Sequence, residues 1–355
     1  MTQDSWGLVR PETRGDQAAI DVVHSAGFPT SAEADLVLRM SGPERAGLLV
    51  SLVATTPTGA IVGHVAFSAG SFAPIGADAP PRVAGLGPVA VLPAYRKRGI
   101  AEALIKEGLE RCRRLGVALV VVLGAPDYYG RFGFLRASSL GITGDYGDGP
   151  AFQALSLQSN VEPARGHFHY HPAFDALEPE LEPTRPLLFV VYAVSRDGAL
   201  GRRGGVPWDY PEDRLHFDRT TRGHAVIMGR RTWEETGRPL EDRLNIVLSK
   251  SAVFPGAERA ASLDSAVSLA RAAGRLPFVI GGAGLFRAAA PLATTLYTTD
   301  IPETVSDADV YLPAELAAKG DGAILGFERV SSWMGSSGER YGVWRAARAR
   351  LESTD

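Results

Sequence analysis

Cysteine is nearly absent: Cys112 stands alone in 355 residues. That excludes an intramolecular disulfide framework and any multi-cysteine zinc site. No sign of charge dominates either. The 37 Lys and Arg nearly balance the 40 Asp and Glu, for a net charge of −3, so no broad basic surface for nucleic acid is expected. No uninterrupted apolar run is long enough to span a bilayer, so no membrane partner is expected. The opening Met1-Thr2-Gln3-Asp4-Ser5 carries no basic region followed by an apolar stretch; no signal peptide is expected, and the cytoplasm is the expected compartment. What is present is ordinary for a globular protein, at 45% hydrophobic and 22% charged residues,. The length suits two or three domains with sizeable cores.

The chain alternates strand-like and helix-like segments, which predicts α/β architecture. In the first half, 47–52, 61–67 and 82–91 read as strands from their β-branched and apolar content. Residues 98–115 carry Ile100, Ala103, Leu104 and Leu109 at helical spacing,. The continuous apolar run 118–123 reads as a buried strand, completing a parallel βαβ unit. Gly70–Pro81 reads as a loop. Glu178–Pro186 holds three Pro and three acids and reads as a stiff linker. After it come strands at 187–194, 225–229, 245–248, 277–280 and 295–300, with helices from Arg230 and at 263–273 and 284–290. The expected domains are 1–178 and 187–355, joined by 179–186, and the two do not look like repeats of each other.

Three segments of the second half carry chemistry. Gly205-Val206-Pro207-Trp208-Asp209-Tyr210-Pro211-Glu212-Asp213 leads into a helix announced by Pro211,. Asp213 in its first turn suits the helix dipole, and taken alone it reads as a surface helix-start acid. Val226-Ile227-Met228-Gly229-Arg230-Arg231-Thr232-Trp233 ends a strand and opens a helix with two Arg, and Ser249-Lys250 follow the next strand. Val279-Ile280-Gly281-Gly282-Ala283-Gly284 is a third strand-to-helix turn, alone no more than a tight turn that needs positive φ. In this order and spacing, from Leu187 to about Arg350, the segments resemble dihydrofolate reductase.

The resemblance implies a mostly parallel central sheet flanked by helices, and reduction of 7,8-dihydrofolate to tetrahydrofolate with NADPH. It implies that Asp213, rather than its neighbour Glu212, grips the pterin and promotes protonation beside the hydride-accepting carbon. Thr299 supports that acid through a water. Trp208 and the loop 196–206, with Gly198, Gly201, Gly204 and Gly205, match the mobile loop that closes over the nicotinamide, which Asp309 steadies. Val191 and Phe217 are expected on the substrate ring. Arg243 is expected on the α-carboxylate of the glutamate tail, where bidentate pairing suits Arg, and Arg214 near the benzoyl group or that tail. NADPH is expected along Ala193, Leu200, Gly229, Arg230, Arg231, Thr232, Ser249 and Lys250. The run Ile280, Gly281, Gly282, Ala283, Gly284, Leu285 and Phe286 completes that cofactor set. The chain departs from the family's pattern at Ala283 (usually Gly), at Phe286 (often Tyr) and at Arg214 (commonly apolar or amide-bearing). Riboflavin-pathway reductases share the fold and the cofactor but lack the Trp-Asp-Tyr-Pro-Glu-Asp arrangement.

The first half has its own signature. In Val89-Ala90-Val91-Leu92-Pro93-Ala94-Tyr95-Arg96-Lys97-Arg98-Gly99-Ile100-Ala101 a strand ends, a basic loop follows and a helix begins. Backbone N–H groups of such a loop cradle a pyrophosphate, aided by the helix dipole. Arg96-x-x-Gly99-x-Ala101, with Tyr129-Gly130-Arg131-Phe132-Gly133-Phe134 downstream, resembles the GNAT superfamily of N-acetyltransferases. That resemblance implies a mixed α/β domain that binds acetyl-CoA through Val89, Val91, Arg96, Arg98, Gly99 and Ala101. It makes Tyr129 the donor of a proton to the departing CoA thiolate. The alternatives are a Tyr packed at a helix–strand corner, and a domain that only binds CoA or mediates dimerisation. His64 is a candidate base, with a core or surface strand histidine as the plainer reading. His167, His169 and His171 alternate and would share one strand face, yet no carboxylate or Cys stands next to them in sequence, so no metal is expected. The acetyl-accepting amine and the oligomeric state are not legible.

Overall fold

A computed structural model of the chain describes residues 6–41, 47–76, 80–158, 165–176, 186–318 and 323–347. The chain divides into two units, the first holding 1–57 and 61–181, the second 58–60 and 182–355. The expected linker, apart from Pro186, lies outside the described residues.

The first unit runs β1 (Leu8–Pro11), α1 (Gln17–Gly27), α2 (Ala32–Met40), β2 (Leu48–Thr55), β3 (Ile61–Ala69), β4 (Ser71–Pro74), β5 (Val83–Val91), α3 (Ile100–Arg114), β6 (Leu119–Leu123), α4 (Pro126–Tyr129), β7 (Leu135–Arg136), β8 (Ile142–Gly144), β9 (Phe152–Ser156) and β10 (Gly166–His169). Its main sheet has the order β1-β2-β3-β5-β6-β9-β7. Only β5 and β6 pair in parallel within that sheet, which is why a crossover helix, α3, lies between them in sequence. That helix forms because Ile100, Leu104, Ile105, Gly108, Leu109 and Cys112 fall on one buried stripe,. Lys106–Glu102 and Arg111–Glu107 pairs run along its outer face,. Burial of each large side chain in the stripe contributes roughly 1.5–3 kcal/mol.

A second, three-stranded sheet has the order β4-β10-β8. It corrects the loop expected over Gly70–Pro81: Ser71–Pro74 is an edge strand, with Phe72 buried in the core. The Gly, Ala and Pro around it mask the alternation, and a Pro at the end of an edge strand is compatible with pairing. The same sheet corrects the reading of the three histidines. His167 and His169 lie on β10, whereas His171 falls past its end.

The second unit runs β11 (Phe189–Ser195), β12 (Ala199–Gly201), α5 (Pro211–Thr221), β13 (Ala225–Gly229), α6 (Arg230–Thr236), β14 (Leu244–Leu248), β15 (Glu258–Ala260), α7 (Leu263–Ala272), β16 (Pro277–Gly281), α8 (Ala283–Ala289), β17 (Thr295–Ile301), β18 (Val310–Tyr311), β19 (Phe327–Met334) and β20 (Arg340–Ala346). Eight strands form one sheet in the order β15-β14-β13-β16-β11-β17-β20-β19. The run from β15 to β17 is parallel, and the closing hairpin β19–β20 joins β17 antiparallel. Alternation along the strands splits the core. Val190, Ile227, Ile246, Val279 and Leu296 face one side with Leu263, Ala266 and Phe286 of the helices. Val226, Met228 and Val247 face the other, with Ile280 and Trp233 packed on them. Among the described residues no helix is long and apolar enough to cross a membrane.

Candidate active sites

In the second unit, β17 sets up one site. Its register pairs Thr299 with Ala193 on β11 and with Tyr341 on β20, and Tyr341 with Trp333 on β19. Cross-strand partners share a face, so these four residues form a row. Asp213 of α5 accepts a hydrogen bond from the Thr299 hydroxyl. Withdrawal from water pushes the Asp213 carboxyl above the usual range; the Thr299 hydrogen bond opposes this and the nearby Glu339 charge adds to it,. Glu339 has no exposed surface and accepts hydrogen bonds from the Tyr341 hydroxyl at 3.1 Å and the Ser337 N–H at 3.0 Å. His216, one turn beyond Asp213, packs its ring 4.6 Å from Tyr341 and 5.8 Å from Trp333. Burial drops its pKa to about 4, so it is neutral. Glu212 accepts from the Ser336 N–H at 2.9 Å and from the Ser336 hydroxyl, in the turn of the same β19–β20 hairpin.

Sequence reasoning missed Glu339, Tyr341, Trp333 and His216. The first three come from the β19–β20 hairpin, far along the chain from Asp213. The signal available was Glu339 itself, an acid between aromatic-rich strand segments.

Trp208 is half-buried, and its indole N–H is buried without a partner among the described residues. The loop it follows is tied down by β12–β18 pairing and by Asp309, which accepts the Arg203 N–H at 3.3 Å. Val191 is buried on the opposite side of β11 from Val190 and Tyr192,, and Phe217 is half-buried on α5. Arg214 is exposed and paired with Asp209.

Arg243 is buried beside α5. Its side chain is only 4% exposed. Its guanidinium donates to the Asp218 carboxylate and carbonyl, both at 2.7 Å, and to the Glu241 carbonyl at 2.7 Å. These donors tie it to α5 and to its own loop.

Of the residues expected to meet NADPH, Gly229 and Arg230 to Thr232 lie beside Ile280 to Gly284, where β13 and β16 end side by side with Met228 abreast of Gly281; paired strand ends in a parallel sheet leave a crevice. A Cβ on Gly281 or Gly282 would come within 3.2 or 3.3 Å of the Thr232 hydroxyl, so bare backbone lines that turn. Arg230 and Arg231 are two-thirds exposed, Arg231 lying 3.3 Å from Glu235 and 3.6 Å from Asp309. Ser249 accepts the Ala252 N–H at 3.2 Å, Lys250 is exposed, and Arg259 reaches the Lys250 carbonyl at 2.9 Å. Leu200 is half-buried against the core. Leu285 and Phe286 are core side chains, the Phe286 ring 5.8 Å from Tyr192, so only their backbone is left to meet a nucleotide.

In the first unit, β5 continues to Val91 but its pairing with β6 stops at Leu86. Half-buried Val89 and Val91 therefore lie on a stretch with no β6 ladder. Beyond it, Lys97 and Gly99 both have left-handed φ, 62° and 79°, and α3 follows with half-buried Ala101 in its first turn. Alternation of this kind turns successive N–H groups to one side. The Arg96 and Arg98 side chains are taken up internally: Arg96 donates to the Gly27 carbonyl at 2.7 Å and Arg98 to the Ala94 carbonyl at 2.8 Å. Backbone, more than guanidinium, is thus what the loop offers. Tyr129 ends α4 with its ring against Tyr128 and Phe134, and burial pushes its phenol up to about 12.

His64 is sealed in the core, with His24 Nε2 2.7 Å from its Nδ1 and Ser51 Oγ 2.9 Å from its Nε2. Ser51 in turn donates to Glu12. Burial holds the His64 imidazole well below its usual range, the plainer of the two readings. At the sheet β4-β10-β8, the spacing argument against a carboxylate fails in three dimensions. Asp145 bridges His167 and His169 at 3.1 and 2.9 Å.

Comparison with known proteins finds relatives for each unit. The family model for dihydrofolate reductase matches residues 187–319, and that for an acetyltransferase (GNAT) domain matches 37–137. Dihydrofolate reductase of Mycobacterium tuberculosis is 36% identical over 167 residues, 46% of this chain and 91% of its own length. That of Mycobacterium leprae is 38% identical over 169 residues, 46% of this chain and 94% of its own. A solved GNAT family N-acetyltransferase from Escherichia coli in complex with CoA is 32% identical, covers 50% of this chain and 97% of its own, and has a TM-score of 0.45. The chain belongs to the dihydrofolate reductase family through its second unit and carries a GNAT acetyltransferase domain in its first.

Proposed function

We propose that the second unit reduces 7,8-dihydrofolate to tetrahydrofolate with NADPH, and that the first transfers the acetyl group of acetyl-CoA to an amine. The observation that carries the reductase reading is Asp213, withdrawn from water and hydrogen-bonded by Thr299. Its two oxygens accept a pair of hydrogen bonds from the amidine-like edge of a pterin. Its lifted pKa lets it hold a proton near the reacting ring nitrogen at a higher pH than a surface acid does. The unpartnered Trp208 N–H donates to a substrate group or a bridging water. Val191 and Phe217 supply apolar contact to the ring, and Ala193 beside Thr299 leaves room for it. When bound, NADPH supplies the hydride. Arg230, Arg231, Thr232, Ser249 and Lys250 suit its adenine-side phosphates, and the bare backbone of Gly229, Gly281, Gly282 and Gly284 suits its pyrophosphate. Steady-state turnover of dihydrofolate with NADPH tests the reading: Asp213→Asn turning over like the parent rejects it.

For the first unit, the edge of β5 beyond its β6 ladder, still paired with β3 on the other side, offers backbone groups to the amides of a pantetheine arm, and the Arg96–Gly99 loop offers N–H groups to its phosphates. A phenol near 12 stays protonated across the physiological range, as a donor to a departing thiolate must. Calorimetric titration of acetyl-CoA into the full chain tests this; Gly99→Glu is expected to abolish binding. One observation favours a second reading, a unit that binds CoA without turnover: His64, the candidate base, is sealed from any acceptor. Acetyl-CoA turnover with a panel of amines separates the two. We place the domains at 1–178 and 187–355, joined by 179–186, and the chain in the cytoplasm, consistent with a lone buried thiol, Cys112, which burial pushes up to about 12.

A further inference from the structure

We propose that Asp145, His167 and His169 form a binding site for a first-row divalent cation, with zinc as the occupant. The fold brings the three together. β8 and β10 are parallel neighbours with Thr143 abreast of His167, and Asp145 follows directly on the end of β8. His167 and His169, two residues apart on one strand, present imidazoles on the same face, their ring centroids 4.6 Å apart. One donor atom from each of the three residues lies within 4.8 Å of the others. Asp145 Oδ1 is 3.1 Å from His167 Nε2 and 2.9 Å from His169 Nδ1. Ligands at the usual zinc distances of about 2.0–2.2 Å, placed tetrahedrally, sit roughly 3.3–3.4 Å from one another. The two imidazole–carboxylate separations therefore need to open by only a few tenths of an ångström.

The groups behind the donors are also in place. The Tyr170 N–H donates to Asp145 Oδ2 at 2.9 Å, which leaves Oδ1 for a ligand bond. The Thr143 hydroxyl lies 2.8 Å from His167 Nδ1. A hydroxyl both donates and accepts, so it supports that ring whether Nδ1 or Nε2 carries the proton, and it frees Nε2 for a metal. Such outer partners orient metal-binding imidazoles and raise their basicity. The three side chains are 33–49% exposed, so the remaining coordination position opens to water. Two imidazoles and one carboxylate suit zinc and its first-row neighbours, whereas magnesium and calcium take oxygen-only shells. His171 stands apart, accepting the Ala173 N–H at 3.1 Å.

The test uses the untagged full chain, stripped with EDTA, loaded with zinc chloride and passed through gel filtration. Zinc content and the thermal midpoint are then measured. The parent is expected to retain about one zinc per chain and to melt at a higher temperature with zinc than in EDTA. His169→Ala and Asp145→Asn are each expected to lose that zinc and its thermal shift, and Thr143→Val to bind roughly 10–100-fold more weakly. His171→Ala is expected to behave as the parent. His169 is half-exposed, so His169→Ala decides the matter even if Asp145→Asn fails to fold. Zinc content in the parent no greater than in His169→Ala overturns the proposal and leaves a plain imidazole–carboxylate hydrogen-bond cluster.

Discussion

A carboxyl withdrawn from water, with a second acid nearby, keeps its proton to higher pH than a surface aspartate. Asp213 is in that position, and the linkage gives it a sign. Its folded pKa lies above its unfolded value, so it contributes stability that is fully present below the unfolded value and is lost as pH rises through the folded one. At neutral pH the charged group is a net cost to the ligand-free fold. Asn keeps the shape and an acceptor for Thr299 without the charge. Asp213→Asn is therefore expected to lower kcat by roughly 10²–10⁴-fold while the thermal midpoint without ligand rises; a midpoint that falls would contradict the electrostatic account. Thr299→Val removes the donor that favours the charged form, so the limb of the kcat/KM profile governed by Asp213 is expected to move to higher pH. Arg243 shows the limit of reasoning from a motif residue. The resemblance singles it out, but the occupation of its donors by Asp218 depends on how α5 packs.

Two glycines of the α3 crossover separate backbone from packing effects. Gly99 has φ of 79° and open space where a methyl group would sit, whereas Gly108 would drive a Cβ into the ring of fully buried Phe67. Gly99→Ala is expected to cost about 1–2 kcal/mol through its left-handed backbone and also to weaken acetyl-CoA binding, because the loop N–H groups turn with it. Gly108→Ala is expected to cost about 1–3 kcal/mol through overpacking and to leave acetyl-CoA affinity unchanged in the folded fraction. Melting curves paired with calorimetric titration distinguish the two. The elements around these turns are legible in the sequence because strand, turn and helix signals are contiguous there: β13 with α6, β16 with α8, and β5 with α3 all stand within a residue or two of their expected bounds. Helix α1 has no counterpart in the sequence reading, although Gln17, Asp21, His24 and Ser25 recur at helical spacing,; the structure buries this polar face along with the apolar residues. The strands β4, β8 and β10 are too short for alternation to register, and for the same reason Asp145 could not be paired with two histidines more than twenty residues away.

Each unit buries histidines that titrate with unfolding, His24 and His64 in the first, His216 and His224 in the second. Desolvation lowers His24 and His224 to about 3 and His216 to about 4, and it holds His64 well below its usual range. A histidine kept neutral in the fold contributes stability present above the unfolded pKa of about 6.5, and loses it as pH falls toward the folded value. Each such residue steepens the decline by roughly 1.4 kcal/mol per pH unit across that window. Asp213 and Asp300 run the opposite way, two acids against two histidines in that unit, whereas Asp197, Asp218 and Asp307, whose carboxyls are lowered, add to the loss on the acid side. Both units are therefore expected to lose stability between pH 6.5 and about 4, read as falling urea midpoints for the full chain at fixed ionic strength. His216→Phe keeps an aromatic ring against Tyr341 and Trp333 without the titratable nitrogen. It is expected to flatten the pH dependence of the second unit and to leave that of the first untouched. An equal flattening of both, or of neither, would place the pH sensitivity in other groups.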